Sequence, residues 1–334
     1  MADRFGYQLI IRIGSVLLTA SLIAASFATQ LWQLYLSQGL LFGIGCGMIF
    51  LPTLSLPSQY FTTKRGVATG ITAAGTGVGG LILSPITNAL IQAIGFRWAL
   101  RITAIITFVV VNIGTFFLKT RIVPRGGGGK LFDTEVLRDK RFYTLTILVV
   151  FWSMGVMLPF FYLPTYAATA GLTTAQAATI VSVTNAFSAI GRVVNGYVAD
   201  RLGRVNLLAV GTVIAGLSVL VIWLPAGSSF GVLIAFGIVF GFFSGGVIGL
   251  VPVVTSMIFG AERLASILGM VYLGWAVGTM TGNQVAGKII DSVGRDGAHS
   301  FYGIIVLAGV SVFLGGMCGF VLRRMMTKKW RLII

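Results

Sequence analysis

Charge is what this sequence most conspicuously lacks. Only 10% of its 334 residues are Asp, Glu, Lys or Arg, against about 25% in an ordinary soluble domain. Acids are scarcer still. The 8 of them are Asp3, Asp133, Glu135, Asp139, Asp200, Glu262, Asp291 and Asp296, and each lies in a loop or at the end of an apolar run. There is 1 His, His299, also in a loop. A pair of intramembrane carboxylates for acid–base work, a His/Cys metal cluster and a nucleophile–base constellation are therefore all missing, so neither an enzyme, a metal site nor a cofactor is expected. The 2 Cys, Cys46 and Cys318, sit inside apolar segments, which argues against a disulfide scaffold. No Asn-x-Ser/Thr sequon occurs. The chain opens Met1-Ala2-Asp3-Arg4-Phe5-Gly6 with no apolar core of a cleavable signal.

What is there in quantity is apolar surface. Hydrophobic types make up 56% of the chain and mean hydropathy is +0.96, so lipid is expected as the solvent for much of it. Apolar stretches of about 20 residues, enough to cross a bilayer, recur ten times, near 7–28, 32–52, 66–94, 98–118, 142–165, 174–198, 205–225, 230–258, 264–287 and 301–322. In hydrocarbon each backbone must satisfy its own hydrogen bonds, which predicts helix throughout. Pro52, Pro85, Pro159, Pro164 and Pro252 are expected to kink or end these helices. Gly is abundant, at 45 residues, as suits close helix packing in lipid. Gly75-x-Gly77-x-Gly79-Gly80 lies within an apolar run with no preceding strand, so a dinucleotide loop is implausible.

The net charge of +16 does not form a nucleic-acid patch. The basic residues alternate between connections. Arg4, Lys64, Arg65, the run from Lys119 to Arg141, Arg201, Arg204, Arg263 and the segment from Arg323 to Arg331 fall on one side. Only Arg97, Arg101, Lys288 and Arg295 fall on the other, while Arg12 and Arg192 lie within spans. The positive-inside rule places the first set, and both chain ends, in the cytoplasm; the plasma membrane is the expected location. Residues 119–141, with Gly126-Gly127-Gly128-Gly129, read as a cytoplasmic linker. The expected organisation is 1–118 with four spans, the linker, 142–322 with six spans, and a basic tail at 323–334.

The two halves repeat. Ala2-Asp3-Arg4-Phe5-Gly6 recurs as Ala199-Asp200-Arg201-Leu202-Gly203, 197 residues on. Gly39, Gly43 and Gly47 recur as Gly237, Gly241 and Gly245, and Gly70, Gly75 and Gly79 as Gly269, Gly274 and Gly278. This is a parallel repeat of the kind expected of two transporter halves. Two spans precede the second Ala-Asp-Arg and none precedes the first. A chain lacking its first two helices is the expectation, with a native ten-helix protein as the alternative.

The segment Gly196-Tyr197-Val198-Ala199-Asp200-Arg201-Leu202-Gly203-Arg204 resembles the loop motif of the major facilitator superfamily, with a partial copy at Asp3-Arg4-Phe5-Gly6. The expected fold is all-α, an integral membrane protein of two helical bundles (4 + 6 spans). Within the superfamily the sequence is most similar to the monocarboxylate transporter family, especially its fungal branch. Tyr60-Phe61-Thr62-Thr63-Lys64-Arg65-Gly66 resembles the start of that family's fifth helix, Gly95-Phe96-Arg97-Trp98 its outer turn, and Gly191-Arg192-Val193-Val194-Asn195-Gly196 its eighth-helix arginine segment. Two positions depart from the pattern: Ser188 stands where an Asp is common, and Asn283-Gln284 where a Pro is.

The resemblance implies a secondary active or facilitative transporter of a small organic solute, a monocarboxylate-like anion, working by alternating access. An intramembrane Arg must face the bundle interior or a wet crevice, and Ser182, Asn185, Ser188, Arg192 and Asn195 recur at helical spacing. By resemblance Arg192 anchors the carboxylate, its planar fork suiting bidentate recognition, with Ser188, Asn185, Tyr162 and Asn283 lining the path. A structural, snorkelling Arg192 is the other reading. Asp3, Arg4, Asp200, Arg201 and Arg204 are implied to form gates, the aspartates meeting the N-termini of the helices starting near 264 and 66; solvated loop charges are the plain alternative. Protons are a candidate coupling partner, yet no titratable group is visible in the spans, so either coupling resides elsewhere or transport is not proton-coupled. A non-transporting sensor or scaffold on the same fold, or an inactive truncated product, are the competing functional readings.

Overall fold

A computed structural model describes residues 2–120, 136–293 and 298–326. The central part of the proposed linker and the tail from 327 lie outside these residues, as do the side chains of Arg4 and His299. Ten of the described helices are long and apolar enough to cross a membrane. They are α1 (Tyr7–Ser26), α2 (Leu31–Tyr60), α3 (Arg65–Ile94), α4 (Phe96–Phe117), α5 (Lys140–Thr169), α6 (Thr174–Leu202), α7 (Arg204–Trp223), α8 (Phe230–Phe259), α9 (Leu264–Val293) and α10 (Tyr302–Met326). A single turn at Ala2–Phe5 precedes α1.

The helix starts have local causes. Thr173 and Gln176 form a reciprocal capping box at the head of α6, satisfying two otherwise orphaned donors. Asp139 caps α5 through the Arg141 amide at 2.8 Å. Its bond to the Arg141 guanidinium holds its carboxyl below the usual carboxylate range. Single glycines make the sharp turns. Gly6 (φ 94°) precedes α1 and Gly203 (φ 102°) precedes α7, a left-handed conformation open to Gly at little cost. The sequence repeat is thus a backbone repeat as well. Pro52, Pro85, Pro159, Pro164 and Pro252 lie inside helices rather than ending them. α2 and α7 each take a π-helical stretch, at Tyr35–Leu41 and Val219–Trp223.

The second half, α5–α10, is a closed bundle. Its main seams are α6 with α8, α5 with α9 and α10, and α7 with α10. Glycine makes these seams possible. A Cβ at Gly241 would lie 2.4 Å from Thr184 O, and one at Gly245 would lie 2.3 Å from Ser188 O. On α9, Gly278 and Gly282 sit equally tightly on Val150 O and Met154 O of α5. In lipid, where apolar side chains gain nothing by leaving the tails, such backbone contact is the main source of helix association. Trp152, Trp223, Phe236 and Phe240 fill the bundle core. The first half, α1–α4, packs α1 against α2 and α4, with Gly14 and Gly45 at their crossing. Its matching glycines Gly39, Gly43, Gly47, Gly75 and Gly79 meet nothing within 4 Å. The halves join mainly through α3 against α6, with lesser contacts of α3 with α8 and of α2 with α9.

Candidate functional site: the seam between the halves

From Gly66 to Gly77 the backbones of α3 and α6 touch. A Cβ at Gly66 would lie 2.3 Å from Gly196 O, one at Gly70 would lie 2.3 Å from Arg192 O, and one at Gly77 would lie 2.8 Å from Ala189 Cβ. Beyond Gly77 the contact ends. Gly79 and Gly80 meet nothing within 4 Å, and Ser182 and Asn185 on α6 are exposed. The seam is shut at the end that carries most of the Lys and Arg and parts toward the other.

Asp200 bridges the two halves at that end. Its two carboxylate oxygens accept from the amides of Gly66 (3.0 Å) and Val67 (3.1 Å), at the N-terminus of a helix in the opposite half, where the macrodipole favours an anion. Arg204, one turn on, pairs with Asp200 at 2.9 Å. It also donates to the carbonyls of Thr62 and Thr63, both at 3.1 Å. Asp3 makes the related contact on the other side of the molecule: it accepts from the Ser266 amide and hydroxyl, both at 2.9 Å, at the start of α9, and from Tyr7 Oη at 2.6 Å. Arg201 is exposed, its guanidinium 4.4 Å above the Tyr197 ring, and it makes no part of this contact.

Arg192 crosses the seam about 15 Å, ten residues at 1.5 Å each, from the basic end of α6. Nη1 donates to Ala73 O at 2.7 Å and to Thr76 Oγ1, both on α3. Nη2 reaches Ser188 Oγ at a long 3.5 Å, and Nε is enclosed with no acceptor. The polar stripe of α6 does not stay on one face of the seam: Asn195 turns to α8, donating to Phe242 O at 2.9 Å and to Gly191 O at 2.8 Å. Ser188 is buried against Gly245. Tyr162 lies about 33 Å along α5, its ring 6.5 Å from Phe301, and is not brought to Arg192. Asn283 is half-buried on α9, about 29 Å from its start. Asn112 ties α4 to α1 through Ser15 Oγ at 3.1 Å. Among the described residues no three His, Cys, Asp or Glu side chains come together as metal ligands. The carbonyls that receive Arg192 and Arg204 carry no sequence signal, because backbone acceptors are common to every residue type.

Two helical halves closed at one end by mirrored carboxylate–helix contacts define the class. Residues 1–228 and 175–331 match the Major Facilitator Superfamily model, and the chain belongs to that superfamily of multi-pass membrane transporters. It is 35% identical over 335 residues to the MFS-type transporter opdF of Penicillium oxalicum, covering 99% of this chain and 77% of that one. It is 29% identical over 320 residues to the aspyridones efflux protein apdF of Emericella nidulans, covering 95% and 64%. Its fold is similar to the crystal structure of the E. coli fucose:proton symporter FucP, with a TM-score of 0.71, 17% identity, and 98% and 86% of the two chains covered.

Proposed function

We propose that this chain carries a small organic solute bearing a carboxylate across the membrane by alternating access, with the α3–α6 seam as one gate. The observation that carries the reading is the pair of carboxylate–helix contacts, Asp200 on Gly66–Val67 and Asp3 on Ser266. A contact made only while one side is shut has differential affinity for two states, which is what a gate requires. By the positive-inside rule the shut side is cytoplasmic, and the plasma membrane is the proposed location. A relative bears the name of an efflux protein, which favours export as the direction.

Arg192 is proposed as the anion anchor. Nη1 holds the side chain on α3, while the Nε–Nη2 edge, the one a carboxylate takes bidentately, spends only one long bond on protein. Parting of α3 from α6 uncovers that edge. The test is uptake of radiolabelled carboxylates and neutral solutes of equal size into proteoliposomes, with and without a pH gradient. Saturable carboxylate uptake that Arg192→Ala abolishes at unchanged protein level supports the reading; equal uptake by that variant removes Arg192 from the mechanism.

A further inference from the structure

The repeat assigns partners to the two residues that receive Arg192. Shifted by the 199 residues that relate Gly70 to Gly269, Ala73 falls on Tyr272 and Thr76 on Trp275. Tyr272 therefore holds on α9 the depth at which Arg192 crosses α3, about 12 Å from the basic end. Where α3 presents an Ala and a Thr, α9 presents two large aromatics with polar atoms.

These aromatics form a ladder from one half into the other. Phe50 of α2 lies over Tyr272, with ring centroids 6.1 Å apart. Tyr272 meets Trp275 edge-on at 5.1 Å, and Trp275 meets Trp152 of α5 edge-on at 5.0 Å. Along the same ladder lie hydrogen-bonding atoms with nothing to bond. Tyr272 Oη, Thr279 Oγ1, Thr146 Oγ1 and Trp152 Nε1 are all enclosed without a partner. They are not scattered: Thr279 is one turn beyond Trp275, and Thr146 packs on Gly274 between Tyr272 and Trp275. Enclosed polar groups are normally paired, and a cluster that is not calls for a role. Tyr272 has a neighbour from the opposite half, the Phe50 ring. The motion that opens the halves withdraws Phe50 and bares an aromatic ring carrying a free hydroxyl.

We infer that Tyr272, flanked by Trp275, is a specificity subsite for a ring-bearing solute, its hydroxyl bonding a polar substituent on the ring while the aromatic faces take the ring itself. The assignment rests on the reading of the chain as a carrier and narrows its solute to aromatic or conjugated acids with a polar group away from the carboxylate.

The test is direct binding to the purified full chain, so that it does not depend on flux. The probes are 4-hydroxybenzoate, benzoate and pentanoate, read by equilibrium dialysis of labelled compound. 4-Hydroxybenzoate is expected to bind tighter than benzoate, and benzoate tighter than pentanoate. Tyr272→Phe, which keeps the ring, is expected to weaken 4-hydroxybenzoate by about five- to tenfold, the worth of one neutral hydrogen bond, and to leave benzoate unchanged. Trp275→Leu is expected to weaken both aromatic probes and spare pentanoate. Equal affinity for the three probes, or equal loss of all three in Tyr272→Phe, would overturn the subsite. Probe binding in that order with no proteoliposome uptake would instead remove the carrier reading and leave the subsite standing.

Discussion

Removing the Asp200 carboxylate should open the α3–α6 seam without unfolding either half. In the shut state the carboxylate accepts two amides, of Gly66 and Val67, and pairs with Arg204, whose side chain is 15% exposed against 9% for that of Asp200. Hydrogen bonds to a charged group are worth about 1.5–3 kcal/mol each before water recovers part of the loss, and the helix terminus adds about 0.3–1 kcal/mol. With rehydration of Asp200 in the parted state, a net differential of about 2–3 kcal/mol is reasonable, or a shift of about 30- to 150-fold toward the open seam at 1.36 kcal/mol per decade. Thr69 gives the readout. It is fully buried on α3, one turn below Ala73, and its hydroxyl has no partner, so Thr69→Cys is close in size and removes no bond. In a background with Cys46 and Cys318 changed to Ser, alkylation of Cys at 69 in detergent reports the fraction of time the seam is parted. Asp200→Ala should raise that rate by about 30- to 150-fold, until the open form dominates, and Arg201→Ala should leave it alone. An unchanged rate in Asp200→Ala, with a normal melting temperature, would refute the claim that this carboxylate holds the seam.

Asp3→Ala should shift the same readout in the same direction but by less, about 1–2 kcal/mol, because Asp3 accepts only one amide and one hydroxyl from α9. Two neighbouring glycines should behave differently. Gly196→Ala puts a methyl 2.2 Å from Gly66 O across the gate, while Gly191→Ala puts one 2.0 Å from Phe242 O inside the second half. Overpacking of about 1–3 kcal/mol should appear as faster alkylation at unchanged melting temperature in the first, and as a lowered melting temperature in the second. Asn195→Leu, which removes the side-chain bond across to Phe242 O, should cost about 0.5–1.5 kcal/mol of thermal stability while sparing the alkylation ratio. Arg192→Lys should fail to restore the carboxylate uptake lost in Arg192→Ala, because an ammonium offers no planar fork.

The helices were legible because lipid leaves a chain few options. Ten apolar runs gave ten helices, several of them extending past the apolar run at one end or both, as α5 does to Thr169 and α9 to Val293. The α5 extension carries the fully buried Tyr166 and Ala167 and the α9 extension carries Lys288 and Asp291, so packing and polar residues that hydropathy does not register set these ends. Of the two outcomes expected at proline, a kink or an end, termination does not occur: at Pro52 and Pro252 the helix continues through the residue, as transmembrane helices tolerate when neighbouring groups re-satisfy the freed backbone. The pairing of Asp200 with the start of α3 was an expectation that the family resemblance carried, with the pull of a helix N-terminus on a carboxylate as its physical reason. The α6 stripe was not readable as a single surface. Its spacing gives Asn195 and Arg192 similar angles, but close packing against Gly246 turns Asn195 to α8 and leaves Arg192 to α3. The Phe50–Tyr272–Trp275–Trp152 ladder joins residues from α2, α9 and α5, a proximity set by tertiary packing alone.

The distance between spin labels at Thr63 and Arg201, two exposed positions on opposite sides of the gate, tests the account most directly. In proteoliposomes the rocking of two halves predicts a short population matching the shut seam and a longer one that grows with a transported carboxylate and dominates in Asp200→Ala. One narrow distance, the same with and without solute and in both proteins, would contradict it.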